Sequence, residues 1–327
     1  MIRFFLIVAL LLASPATAPG AVRTVPGQYA RITDALALSG AGDTVSVAAG
    51  TYSPSANGEV FPLVLGASGP VLLGAGMTLS TLDAEGTGSV LHLSGGRVSG
   101  FTLTGGSANI GGAIWVIGGS PEIDHNLLWG NEARDVGSGI DVDGASVSAW
   151  IHHNVLWENV DSDLGHAGDP HGIQVRGATP VIEHNLIGRG DSNGLLFSGS
   201  SDPVIRNNIF FENGIPTVRG RGICALSVNP GTIVHNLFHG HAIAAILVQN
   251  PSITDQTAQE ANDADPGDQI YGNLDGDPLF ADADAMDWEL LYGSPAIDAG
   301  DPGSALDPDG TTADIGPFFF DQSVASV

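Results

Sequence analysis

The sequence has no lysine and a single cysteine, Cys224. Without lysine there is no Schiff base, no lysine general base and no P-loop lysine. One cysteine excludes an intrachain disulfide framework and a cysteine-rich metal site. Aromatic residues make up only 6% of the chain, which limits the ring faces available for stacking on a ligand. Positive charge is scarce too. Ten arginines face 36 acids, for a formal net charge of -26. Such a chain repels phosphate backbones, so nucleic acid is excluded as a partner.

What is present is glycine, with 46 residues, and 43% hydrophobic residues. That apolar content supports a large core and excludes a disordered acidic polymer. The 327 residues suggest two domains by length alone, but repeats override such a count. Met1-Ile2-Arg3, an apolar run from Phe4 to Ala13 and the small residues after it read as a signal peptide over 1–21. The expectation is therefore a secreted protein, extracellular, periplasmic or at the cell surface. No later run is long and apolar enough to span a membrane. Oligomeric state is not legible.

A repeat organises the middle of the chain. The segments SPEIDHNLLWGN (120–131), SAWIHHNVLWEN (148–159), TPVIEHNLIGRG (179–190), DPVIRNNIFFEN (202–213) and PGTIVHNLFHGH (230–241) superimpose. GDQIYGNLDGDP (267–278) is a looser copy. Their shared asparagines are Asn126, Asn154, Asn185, Asn208, Asn236 and Asn273. A strand-like segment opening on glycine precedes each copy, as in GIDVDGAS (139–146) and GIQVRGAT (172–179). The unit is two short strands, an asparagine, a third strand and a variable loop. It cannot bury its own apolar face, but stacked copies can. Asparagine tolerates left-handed backbone, so it is expected at the corner, with its amides forming a ladder. Roughly nine turns give a column on the order of 45 Å long.

This pattern resembles the right-handed parallel β-helix superfamily, often called pectin-lyase-like. The resemblance implies an all-β right-handed parallel β-helix. An N-terminal cap and first strand would occupy 22–52, with helical spacing from Tyr29 to Leu38 plugging the core. Repeats would fill 53–276, and an acidic cap over 277–327 would close the far end. The same coil hosts lyases, hydrolases, epimerases and non-enzymatic surface proteins.

Strand alternation places Asp141, Asp143, Gln174 and Arg176 outward on adjacent rungs of one face, with Trp115 one turn earlier. Two carboxylates beside an arginine resemble the calcium-plus-arginine arrangement of pectate lyases. By that resemblance Asp141, Asp143 and Asp169 would hold Ca2+ and Arg176 would take the proton from the sugar acid. A solvated face with a cross-strand ion pair explains the same residues. The segment DPHG (169–172) resembles the Asp-Pro-His motif of mannuronan C5-epimerases, which makes His171 an acid or base. That family carries Tyr-Gly-Phe just before, whereas this chain has His166-Ala167-Gly168. A glycoside hydrolase would draw its carboxylate pair from Asp141, Asp143 and Asp169. Five arginines lie within 176–221, so Arg189, Arg219 and Arg221 join Trp115 and Gln174 as candidates for binding an acidic glycan.

His125, His153, His184 and His235 each precede a ladder asparagine, which argues for a structural row, although stacked imidazoles could bind a transition metal. From Asp255 to Asp321 there are 17 acids and no base, and LDPDG (306–310) resembles a fragment of a calcium loop. The expected function is polysaccharide binding or processing, first of all calcium-assisted elimination on an acidic glycan. The alternative is a non-catalytic surface or matrix protein.

Overall fold

The computed structural model describes residues 20–161, 171–215, 220–227, 231–249, 253–264 and 269–323. The expected signal peptide lies almost wholly outside them. Three parallel sheets run the length of the chain, and each turn contributes one strand to each. The first sheet holds the strand before the ladder asparagine, such as Trp150–His152. The second holds the strand after it, such as Val155–Trp157. The third holds the glycine-led strand, such as Ile173–Arg176. The nine expected turns are eight complete three-strand turns and a ninth of two strands, Ile270–Tyr271 and Leu274–Asp275.

Inward residues of all three sheets form one core, including Leu128, Ile140, Val142, Ile151, Ile173 and Ile182. Phe210 and Phe238 stack inside it with centroids 5.1 Å apart. The ladder amides are fully bonded. Asn126 Nδ2 donates to Asn154 Oδ1 (3.1 Å), and the same bond recurs from Asn154 to Asn185, Asn185 to Asn208, Asn208 to Asn236 and Asn236 to Asn273 at 3.0 Å. A second ladder begins five residues on, where Asn131 Nδ2 donates to Asn159 Oδ1 (3.0 Å). One expectation is corrected. The left-handed corner belongs to the residue before the asparagine: His125, His153, His184, Asn207 and His235 have φ between 50° and 54°. Histidine and asparagine are among the side chains that tolerate this region best. The asparagine itself is then free to turn inward and bond its neighbours.

Both ends of the core are covered. Helix Ile32–Leu36 buries Ile32, Ala35 and Leu36 over the first turn. It lacks a side-chain cap of its own. Glu59 serves instead, accepting from Ile32 N (2.7 Å) and Thr33 N (3.0 Å). The far end is covered by the antiparallel strand Ile253–Gln256 and helix Ala258–Ala264, whose Ala258 and Ala261 enter the core. The acidic tail was expected to close that end. It lies along the flank instead, because the second sheet is apolar on both faces. Leu127, Val155, Trp157, Leu186, Ile209, Phe211 and Leu237 point outward and pack under Trp288, Leu290, Ala296 and Ile315 of the tail.

Candidate functional site

The outward residues of the third sheet form a different surface, although most of them are buried as well. In-register pairing aligns His92, Trp115, Asp141, Gln174, Leu196, Cys224 and Leu247 in one outward row. A second row aligns Asp143, Arg176, Ser198 and Leu226. The row therefore changes character halfway. Its first four residues are polar or aromatic, and the last three cluster as a small apolar patch.

Five sequence candidates meet on the polar half. Arg176 Nη2 donates to Asp141 Oδ2 (2.9 Å) and Asp143 Oδ2 (3.1 Å). Trp115 lies in register with Asp141 and packs edge-on against His92, with centroids 5.1 Å apart. Asp141 is 0% exposed although it points away from the core. Burial, with Asp143 adding to it, pushes its carboxyl up to about 7 against the pull of Arg176. Four buried polar atoms here have no hydrogen-bond partner among the described residues: Trp115 Nε1, Asp141 Oδ1, Gln174 Oε1 and Arg176 Nε. Each such atom costs about 1–3 kcal/mol, and native proteins rarely tolerate one, let alone four on three rungs. Two are donors and two are acceptors, the complement of a hydroxylated ligand.

The calcium set expected from resemblance does not fit this arrangement. Calcium takes six to eight oxygens. Here the Arg176 guanidinium already bridges the Asp141 and Asp143 carboxylates, and a divalent cation beside it would be repelled. Asp169 lies outside the described residues. A guanidinium is a very poor base in any setting, and that of Arg176 is already engaged by two carboxylates. His171 precedes the Arg176 strand and is buried, with Nδ1 3.0 Å from Ser192 Oγ and 3.3 Å from Asn193 Nδ2. Burial lowers it to about 3, so its imidazole is neutral near pH 7.

The remaining arginine candidates are engaged elsewhere. Arg189 occupies a left-handed corner on the second-sheet side (φ 53°). It pairs with Glu212 (2.9 Å) and with Asp284 of the tail (2.6 Å). Arg221 opens the strand Arg221–Ser227 and is held by Asp255. Arg219 lies outside the described residues.

Two other clusters stand apart from this face. Glu122, Asp124 and His152 on the first sheet bring ligand-type atoms within 4.8 Å of one another. Asp124, however, receives a two-pronged Arg97 (2.6 Å each), which holds its carboxyl well below the usual range against the cost of burial. The rings of His125, His153 and His184 stack 5.1 and 5.0 Å apart, too far for one metal ion to be shared by adjacent nitrogens. They line a cleft of about 510 Å³ beside tail residues 303–308. In the LDPDG segment, carboxylates anchor backbone: Asp309 Oδ1 accepts from Thr311 N (3.1 Å) and Asp307 Oδ2 from Asp314 N (2.9 Å).

The family model described as "Right handed beta helix region" matches residues 94–257, and "Protein of unknown function (DUF1565)" matches 16–90. No curated protein matches the chain. An alginate lyase from Paenibacillus sp. str. FPU-7 is similar in structure, with a TM-score of 0.55 and 17% identity over 71% of this chain and 83% of that one. The pectate lyase Pel9A aligns with a TM-score of 0.48 and 14% identity over 93% and 97%. At these identities the likeness shows the fold alone. With half of its length matched and three continuous parallel sheets wound around one core, the chain belongs to the right-handed β-helix family.

Proposed function

We propose that the polar half of the third sheet binds an acidic polysaccharide and cleaves it by β-elimination. The observation that carries this reading is the set of unpartnered buried polar atoms on Trp115, Asp141, Gln174 and Arg176. In this reading Asp141 takes the proton from the carbon beside the sugar carboxylate. Its raised pKa makes it a better base than an ordinary aspartate at neutral pH. The carbon–hydrogen electrons form the new double bond, the bond to the leaving oxygen breaks, and that oxygen leaves as a hydroxyl by taking a proton from water or from the protonated Asp141. Arg176 positions Asp141 and offers Nε–H to the ligand, and Gln174 and Trp115 bond sugar hydroxyls. The structural neighbour named as an alginate lyase shares the fold of this chain. Secretion would bring the protein to such a polymer.

The assay is exposure to polygalacturonate and alginate, with calcium and with chelator. The expected result is new absorbance in the unsaturated-uronate band. Because the described residues leave calcium no place between Asp141 and Asp143, activity through this face persists in chelator. A second reading, a non-catalytic binding face, is favoured by the complete burial of Asp141. Binding without product from either polymer would select it. Neither binding nor product would overturn both readings.

A further inference from the structure

An acidic ligand on a protein with a formal charge of -26 needs a cation that is not already neutralised. Among the described arginines, Arg23, Arg31, Arg97, Arg176, Arg189, Arg206 and Arg221 all sit in ion pairs with carboxylates. Arg134 is the remaining one. It has no ion pair among the described residues and is exposed on the strand Glu132–Val136.

That strand belongs to a small side sheet of three strands, Ser107–Ile110, Glu132–Val136 and Val160–Asp161. The side sheet is inserted in three successive turns, between the second-sheet and third-sheet strands. Its exits press on the start of the third sheet. A Cβ added at Gly137 (φ 61°) would lie 2.8 Å from Asp141 Cβ, and one at Gly111 (φ 61°) would lie 2.8 Å from Trp115 Cβ. Only glycine combines the left-handed backbone with so close an approach. The side sheet therefore abuts the row that carries the unpartnered atoms. Arg134 is three residues before Gly137.

We propose that Arg134 is the subsite cation that receives a carboxylate of the acidic glycan at the edge of the third sheet. This rests on reading the third-sheet face as the glycan site. Arg176 cannot fill the role, because its Nη2 is already shared by Asp141 and Asp143. A guanidinium can take a carboxylate with two parallel bonds, and no carboxylate among the described residues occupies the Arg134 fork. The flanking Glu132 and Asp135 are also exposed. They disfavour an uncompensated anion, so binding here is selective for a ligand that reaches the guanidinium directly.

The test is binding of oligogalacturonate to the whole chain as wild type, Arg134→Gln and Arg134→Lys, measured by calorimetry at two salt concentrations. The expected result is a tenfold or greater loss of affinity in Arg134→Gln and a weaker dependence on salt. Arg134→Lys should restore part of the affinity, and melting temperatures should coincide, since Arg134 makes no ion pair among the described residues. Wild-type affinity and salt dependence in Arg134→Gln would overturn this inference alone. A wild type that binds no acidic glycan would overturn it together with the glycan reading.

Discussion

The second and third sheets are built from the same repeat, yet their outer faces have opposite fates. On the second, outward Leu127, Val155, Trp157 and Phe211 are sealed by the tail, and Trp157 meets Trp288 with centroids 5.4 Å apart. On the third, outward Trp115, Asp141 and Gln174 carry polar atoms that find no partner among the described residues. One face buries apolar side chains, and the polar half of the other buries atoms that lack a partner among the described residues. A solenoid makes this division natural, because each sheet presents its own face while all three share a core. Unsatisfied groups that persist in such a frame mark function more often than poor folding.

The largest expected effect falls on the sealed face. Trp157→Ala should cost about 3–5 kcal/mol, as for large aromatic truncations in a core. Trp115→Ala on the other face should cost less than half as much. Urea unfolding of the two variants checks this, and equal losses would erase the contrast.

The next effect is pH. His153, in the row beside the tail, is lowered to about 3 by burial first and by its histidine neighbours second. Its folded pKa lies below the unfolded value, so its contribution is present above about 6.5 and lost as pH falls toward 3. The limiting slope is about 1.4 kcal/mol per pH unit for one such group. His153→Asn should keep the left-handed corner and flatten this slope, as measured by urea midpoints from pH 7 to 4. An unchanged slope would show that the row does not govern acid sensitivity.

The smallest effect has the opposite sign. Gln174→Leu removes an unpartnered buried oxygen and should raise stability by up to about 1 kcal/mol while weakening glycan binding. A loss of stability would show that Gln174 is satisfied after all.

The division was partly legible in the sequence. The repeat, the asparagine ladder and the alignment of Asp141 with Gln174 and of Asp143 with Arg176 follow from spacing and period-two alternation alone. The tail's position was also encoded, in the three consecutive apolar residues after Asn126, Asn154 and Asn208. Three in a row on a strand means both faces are buried. The second ladder was visible as Asn131, Asn159 and Asn213, each five residues after the first. The electrostatics were not legible. Five arginines within 176–221 look like an anion site in one dimension, but Arg189, Arg206 and Arg221 meet acids 20 or more residues away. Nor could composition show that Asp141, an outward aspartate, is wholly buried. The side-sheet turn at Gly137, which lies against the base of that side chain, is a contact that alternation does not reveal.

The most direct test of the functional face is Asp141→Asn, followed for both melting temperature and release of unsaturated product from the acidic glycan. The variant keeps the shape and removes the proton acceptor. Product formation should fall by about a hundredfold or more, on the order of a general-base contribution, with melting temperature unchanged or raised. The wild-type rate should rise with pH up to about 7, where Asp141 loses its proton. An Asp141→Asn variant that turns over substrate at the wild-type rate would contradict the account.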